Sequence, residues 1–141
     1  MASVVVTSQP NKGLRHEIKA GKHNLVADAG TDIGGNDEGP DPHALMLSAL
    51  GACTSMTLQL FAQKRSWDLR KVVVTLTEEQ IVDPENESRK IPKIVRTVEV
   101  EGELTPEQLD TLRSIADKCP IHKLLTGSKE ISTSLNALVQ K

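Results

Sequence analysis

Aromatic side chains are nearly missing from this chain of 141 residues: Phe61 and Trp67 are the whole set, and there is no tyrosine. Base-stacking platforms and aromatic ligand cages are thereby excluded, and the core must be aliphatic. An excess of one charge is missing too. The 17 basic and 19 acidic residues leave a net charge of -2 and are interleaved rather than blocked. No basic face invites nucleic acid or anionic lipid, so neither nucleic acid nor membrane is expected as a partner. The start, "MASVVVTSQPNK", has neither the charged opening nor the long apolar stretch of a secretory signal. A cytoplasmic location is therefore expected. Cysteine is scarce as well, with only Cys53 and Cys119. In a reducing compartment such a pair points to chemistry or metal binding before a structural staple. The length fits a single domain, residues 1–141, with one core.

What is present reads as an α+β pattern. "SVVVTS", "RHEIKA" and "KHNLVAD" are short strands, the last two flanking Gly21, which suits a hairpin turn. The stretch "AGTDIGGNDEGPDP" is a loop. Asp41 followed by Pro42 is a helix start, an N-cap side chain and then a proline whose missing N–H costs nothing there. The helix should run to about Lys64. Leu45, Met46, Leu47, Leu50, Met56 and Leu58 make it apolar nearly all round, which predicts a buried central helix. Ser48, Thr54, Ser55, Thr57 and Gln59 make it too polar for a membrane span, and its small residues should admit a partner helix.

"KVVVTLTEEQIV" and "KIPKIVRTVEVEG" form two long strands, with Val74 and Leu76 on one face of the first and Ile94, Val98 and Val100 on one face of the second. "DPENESR" between them reads as a loop. Thr105 and Gln108 form a capping box around Pro106 and open a second helix, which Pro120 stops. "ISTSLNAL" alternates and should close the chain as a strand. The order is β-β-β-α-β-β-α-β, with strands and helices segregated rather than regularly alternating.

A cysteine within a buried helix, as Cys53 is, most often serves as a small hydrophobe. Cys119 differs, because Pro120 drives it out of helical conformation and can open a new turn, setting Cys119 at the N-cap of "PIHKLL". Free N–H groups at such a position stabilise a thiolate. An unperturbed thiol is only about 3% ionised at neutral pH, and lowering its pKa by about two units requires about 2.7 kcal/mol of differential stabilisation. Cys53, in mid-helix, has no free backbone N–H to supply it. If Cys53 is the nucleophile, a cation must come from elsewhere, and Arg15 in the first hairpin is the candidate. As an alternative, Arg15 is an ordinary exposed strand residue.

"GPDPHALMLSALGACTSMTL", "ELTPEQLDTLRSIADKCPIHKLL" and the terminal "ISTSL" resemble the signature blocks of the OsmC/Ohr family, the osmotically inducible protein C and organic hydroperoxide resistance proteins, and most closely its OsmC-like branch. The resemblance runs over nearly the whole chain. It implies an intertwined homodimer with two central helices packed together and a site at each subunit interface. It also implies a cysteine-based thiol peroxidase acting in stress response. Cys53 would attack a hydroperoxide, become a sulfenic acid and condense with Cys119 to a disulfide that an external dithiol reduces. No metal, flavin or haem cofactor is implied.

The family's hydroperoxidases hold the thiolate with an Arg and a Glu near the start of the central helix. Here that stretch reads "DPHALML", with His43 or Ala44 where the acid would fall. A carboxylate to orient Arg15 would have to come from Glu17 or Glu38. Two other readings stand beside the peroxidase. Cys53, Cys119, His43 and His122 could form a zinc set, or the apolar interface could bind a small organic ligand without catalysis.

Overall fold

The computed structural model describes residues 3–137. Three short antiparallel strands, β1 (Val4–Ser8), β2 (His16–Ala20) and β3 (His23–Ala27), form one sheet in that order. Gly21 takes a φ of 61°, as the first position of the two-residue turn joining Ala20 to its partner His23 requires. The loop after β3 is folded around the Asp28 carboxylate, which accepts from the backbone N–H of Ala29 at 2.7 Å and of Glu38 at 3.1 Å.

Helix α1 spans Pro42–Lys64, with Asp41 as N-cap accepting from the Ala44 N–H at 2.7 Å. Its buried residues are Leu50, Gly51, Thr54, Leu58 and Ala62, a single stripe at helical spacing. The expectation of burial all round is corrected here: within one chain Met56 is 61% and Leu60 59% exposed. The helix has the length and composition of a membrane span, but it packs against β4, α2 and α3 as a core helix.

Strands β4 (Lys71–Asp83) and β5 (Asn86–Glu101) pair antiparallel in a second sheet. Their inward faces alternate as expected, and Leu76 comes so close to α1 that a Cβ on Gly51 would lie 2.8 Å from its Cδ1. The seven-residue loop expected at "DPENESR" is a tight turn instead, because Asp83 accepts from the Glu85 N–H at 2.9 Å and pairs with Arg89, so pairing resumes at Asn86. Helix α2 (Pro106–Ala116) opens on the expected capping box of Thr105 and Gln108. Leu58, Leu112 and Ala116 centre the core, with Phe61, Trp67, Leu69, Val72 and Val98 around them.

The mixed α+β class holds, with two differences at the C-terminal end. Pro120 not only stops α2 but opens a further helix, α3 (Pro120–Thr126). The closing strand expected at "ISTSLNAL" is not formed over residues 131–137, where Ile131 is 86% and Leu135 96% exposed; Leu138 lies outside the described residues. Alternating sequence favours extended backbone, but a strand needs an edge to pair with.

Candidate functional site

The packing of α1 against α3 brings the two free cysteines together. Cys53 is half-buried, and the next residue, Thr54, is completely buried, as is Cys119. Cys119 is the N-cap of α3, as its proline neighbour predicts, and its Sγ accepts from the His122 backbone N–H at 3.2 Å. Burial pushes the Cys119 thiol up, and four groups together more than offset it: the His122 N–H, the Cys53 thiol, the Thr54 hydroxyl and the Arg96 guanidinium. The net result is a thiol held below its ordinary value.

Arg96 is the residue that pattern reading missed. It lies on the inward face of β5 between Ile94 and Val98, opposite Leu76, and its side chain is only 12% exposed. Its Nη1 donates to Thr54 Oγ1 at 3.1 Å, and its Nη2 donates to Asp117 Oδ1 at 2.8 Å and faces His122 Nδ1 at 3.1 Å. Thr54 Oγ1 donates to the Leu50 carbonyl at 2.7 Å and lies 3.8 Å from Cys119 Sγ. Its one proton can serve Leu50 or a Cys119 thiolate. Because Arg96 is always a donor, His122 Nδ1 is the acceptor and the proton of a neutral ring sits on Nε2. The sequence signal was an arginine in phase with Ile94, Val98 and Val100.

Arg15 pairs with Glu38 at 3.3 Å, so Glu38 is the carboxylate that reaches it. The contact is ionic, since the Nε N–H is not aligned for a hydrogen bond. His43, standing where the helix-start acid was sought, holds Glu78 of β4 at 2.7 Å. Among the described residues no group of three or more His, Cys, Asp or Glu side chains could hold a metal ion, so the four supposed zinc ligands do not form a set. An open cavity of about 430 Å3, lined by Met46, Leu50, Glu78, Ile94, Arg96 and His122 among others, shares Arg96 and His122 with the surroundings of Cys119.

Residues 34–134 match the family model of OsmC-like proteins. The chain belongs to that family. Solved structures of similar fold include an osmotic stress induced and detoxification response protein from Psychrobacter arcticus 273-4, at 20% identity and a TM-score of 0.72 with 88% of each chain covered. An OsmC-like protein from Mycoplasma pneumoniae is 17% identical with a TM-score of 0.71, over 90% of this chain and 88% of that one. The organic hydroperoxide resistance protein OhrB of Bacillus subtilis is 17% identical with a TM-score of 0.61, over 90% of this chain and 91% of that one. No curated protein matches the sequence.

Proposed function

We propose that this protein is a cytoplasmic, homodimeric thiol peroxidase that reduces organic hydroperoxides through a Cys53 sulfenate and a Cys53–Cys119 disulfide. The observation that carries the reading is the nearness of the two free thiols: the half-buried Cys53 adjoins Thr54, whose Oγ1 lies 3.8 Å from the completely buried Cys119 Sγ, and Cys53 is among the groups that lower the Cys119 thiol. The Cys53 thiolate attacks the O–O bond, giving Cys53 sulfenic acid and an alkoxide that leaves as the alcohol. Cys119 then attacks the Cys53 sulfur, hydroxide departs as water, and an external dithiol returns both thiols while itself becoming a disulfide. Arg15, oriented by Glu38, is the cation assigned to Cys53.

The dimer is supported by the apolar surface that one chain leaves open, including Met56 and Leu60 on α1 and a groove where Ser48, Gly51, Ala52 and Ser55 face Val72 and Val74. Light scattering should give about twice 15.3 kDa; a stable, well-folded monomer would refute it.

The chemistry is tested by trapping sulfenate with dimedone after cumene hydroperoxide. Cys119→Ser should carry one label on Cys53 and stall, and Cys53→Ser should consume no peroxide. Label on Cys119 without Cys53, and none on Cys53 without Cys119, overturns the assignment. The mostly apolar cavity lined by Arg96 and His122 supports a second reading, a non-catalytic binder of a small apolar ligand. In that case both thiols survive one equivalent of peroxide.

A further inference from the structure

Arg96 is expensive where it stands. A guanidinium 12% exposed, set between Ile94 and Val98, has lost most of its hydration, and the carboxylate it pairs with, Asp117, is itself 63% exposed. A second anion near Arg96 would repay that cost. The sulfur of Cys119 is at hand, completely buried, joined to Arg96 through Thr54 on one side and His122 on the other.

We infer that Arg96 is a positioning residue for the closing of the disulfide: through the Thr54 hydroxyl and the His122 backbone it holds Cys119 as the thiolate that attacks the Cys53 sulfenic acid. This rests on the peroxidase reading above and adds to it a cation separate from Arg15. In the closing step the Cys119 thiolate forms the S–S bond, the S–O bond of Cys53 breaks, and the departing hydroxide takes up a proton to become water. A neutral thiol would attack far more slowly, because the thiolate is the nucleophile. Around Cys119 stand Cys53 and Thr54 from α1, Arg96 from β5 and the His122 N–H from α3, and Asp117, at the end of α2, pairs with Arg96. Glu78 of β4 lines the cavity shared with Arg96 and His122. Of these, Arg96 is the one cation that does not titrate. The closing rate is therefore expected to reach its plateau at a lower pH with Arg96 than without it.

The test has two arms. In the first, thiolate absorbance is titrated in Cys53→Ser and in Cys53→Ser/Arg96→Met, so that Cys119 alone reports. The midpoint should move to higher pH when Arg96 is lost and return part of the way with Arg96→Lys. Arg113→Met, which removes an exposed guanidinium from α2, should leave it where it was. In the second arm, reduced protein is mixed with one equivalent of cumene hydroperoxide and the disulfide is followed by quenched mass spectrometry. With Arg96 present, closure should reach its plateau at lower pH than in Arg96→Met. In Arg96→Met it should slow at neutral pH and climb by about tenfold per pH unit until the thiol has titrated.

Coincident midpoints, or a closing rate in Arg96→Met with the same pH profile as the parent, overturn the inference and leave Arg96 as a clamp between strand and helices. If Arg96→Met does not fold, as judged by circular dichroism, Arg96→Lys carries both arms, because its point charge cannot make the same paired contacts. If no sulfenate forms even in the unaltered protein, the peroxidase reading fails, and the first arm still decides whether Arg96 holds the thiolate.

Discussion

Thr54→Val separates packing from polarity at the centre of the thiol site. The two side chains have the same shape, so the completely buried position stays filled, and what is lost is one hydroxyl. The bond to the Leu50 carbonyl matters least, since that oxygen keeps its helical partner. The bond from Arg96 matters most: with Thr54 Oγ1 gone, a charged donor in a largely buried guanidinium is left without its acceptor. Leaving such a group unpaired costs about 1–3 kcal/mol, and the added methyl returns about 0.8 kcal/mol, so the reduced protein should lose about 0.2–2.2 kcal/mol.

Thr54→Ser removes a methylene equivalent and should cost about 0.8 kcal/mol while keeping the hydroxyl. Stability against pH tells the two variants apart. The folded Cys119 thiol lies below its unfolded value, so in the window between the two the unfolded chain holds a proton that the folded chain does not. Stability therefore rises as pH rises from the folded thiol value to the ordinary one, is complete above the ordinary value, and is lost as pH falls through the folded value. Urea unfolding of the reduced protein across that window should show the alkaline gain intact in Thr54→Ser and diminished in Thr54→Val. A Thr54→Val protein that is as stable as the parent with the same alkaline gain would refute the reasoning.

Three further outcomes follow from particular contacts. Leu58→Ala, at a residue 1% exposed against Leu112 and Ala116, should cost about 2–5 kcal/mol in urea unfolding; a loss under about 1 kcal/mol would mean that the α1–α2 contact is not the core. Asp28 is held below the usual carboxylate range by the Ala29 N–H, against burial, and further by the Glu38 and Asn36 N–H groups and Arg15. Its contribution is present above the unfolded carboxylate value and lost as pH falls through the lower folded one, so the protection of amides in residues 29–40 relative to intrinsic exchange should fall in acid, and in Asp28→Asn should be low at neutral pH too. Arg15→Ala should slow sulfenate formation at Cys53 and leave the melting temperature nearly unchanged, because its ion pair with Glu38 is partly exposed; an unchanged rate would remove Arg15 from the site.

Much of the architecture was legible because its causes are local. Asp41 before Pro42 and the Thr105–Gln108 box fix where two helices begin, since backbone N–H groups at a helix start need acceptors wherever the helix lies. Pro120 put Cys119 at an N-cap for the same reason. Period-2 alternation placed Val74 and Leu76 on the inner face of β4, and the conflict it exposed was the clue passed over: Arg96 shares a face with Ile94, Val98 and Val100.

What tertiary structure decided is everything that depends on which elements meet. That Cys119 lies against Thr54 beside Cys53, that Arg96 reaches Thr54 and His122, that Glu38 and not Glu17 reaches Arg15, and that Glu78 reaches the start of α1 all join residues distant in the chain. Neither propensity nor spacing encodes such meetings. The alternation at residues 131–137 carries the same lesson, because extended propensity is a property of the residues, and a strand exists only where another backbone offers its hydrogen-bonding edge.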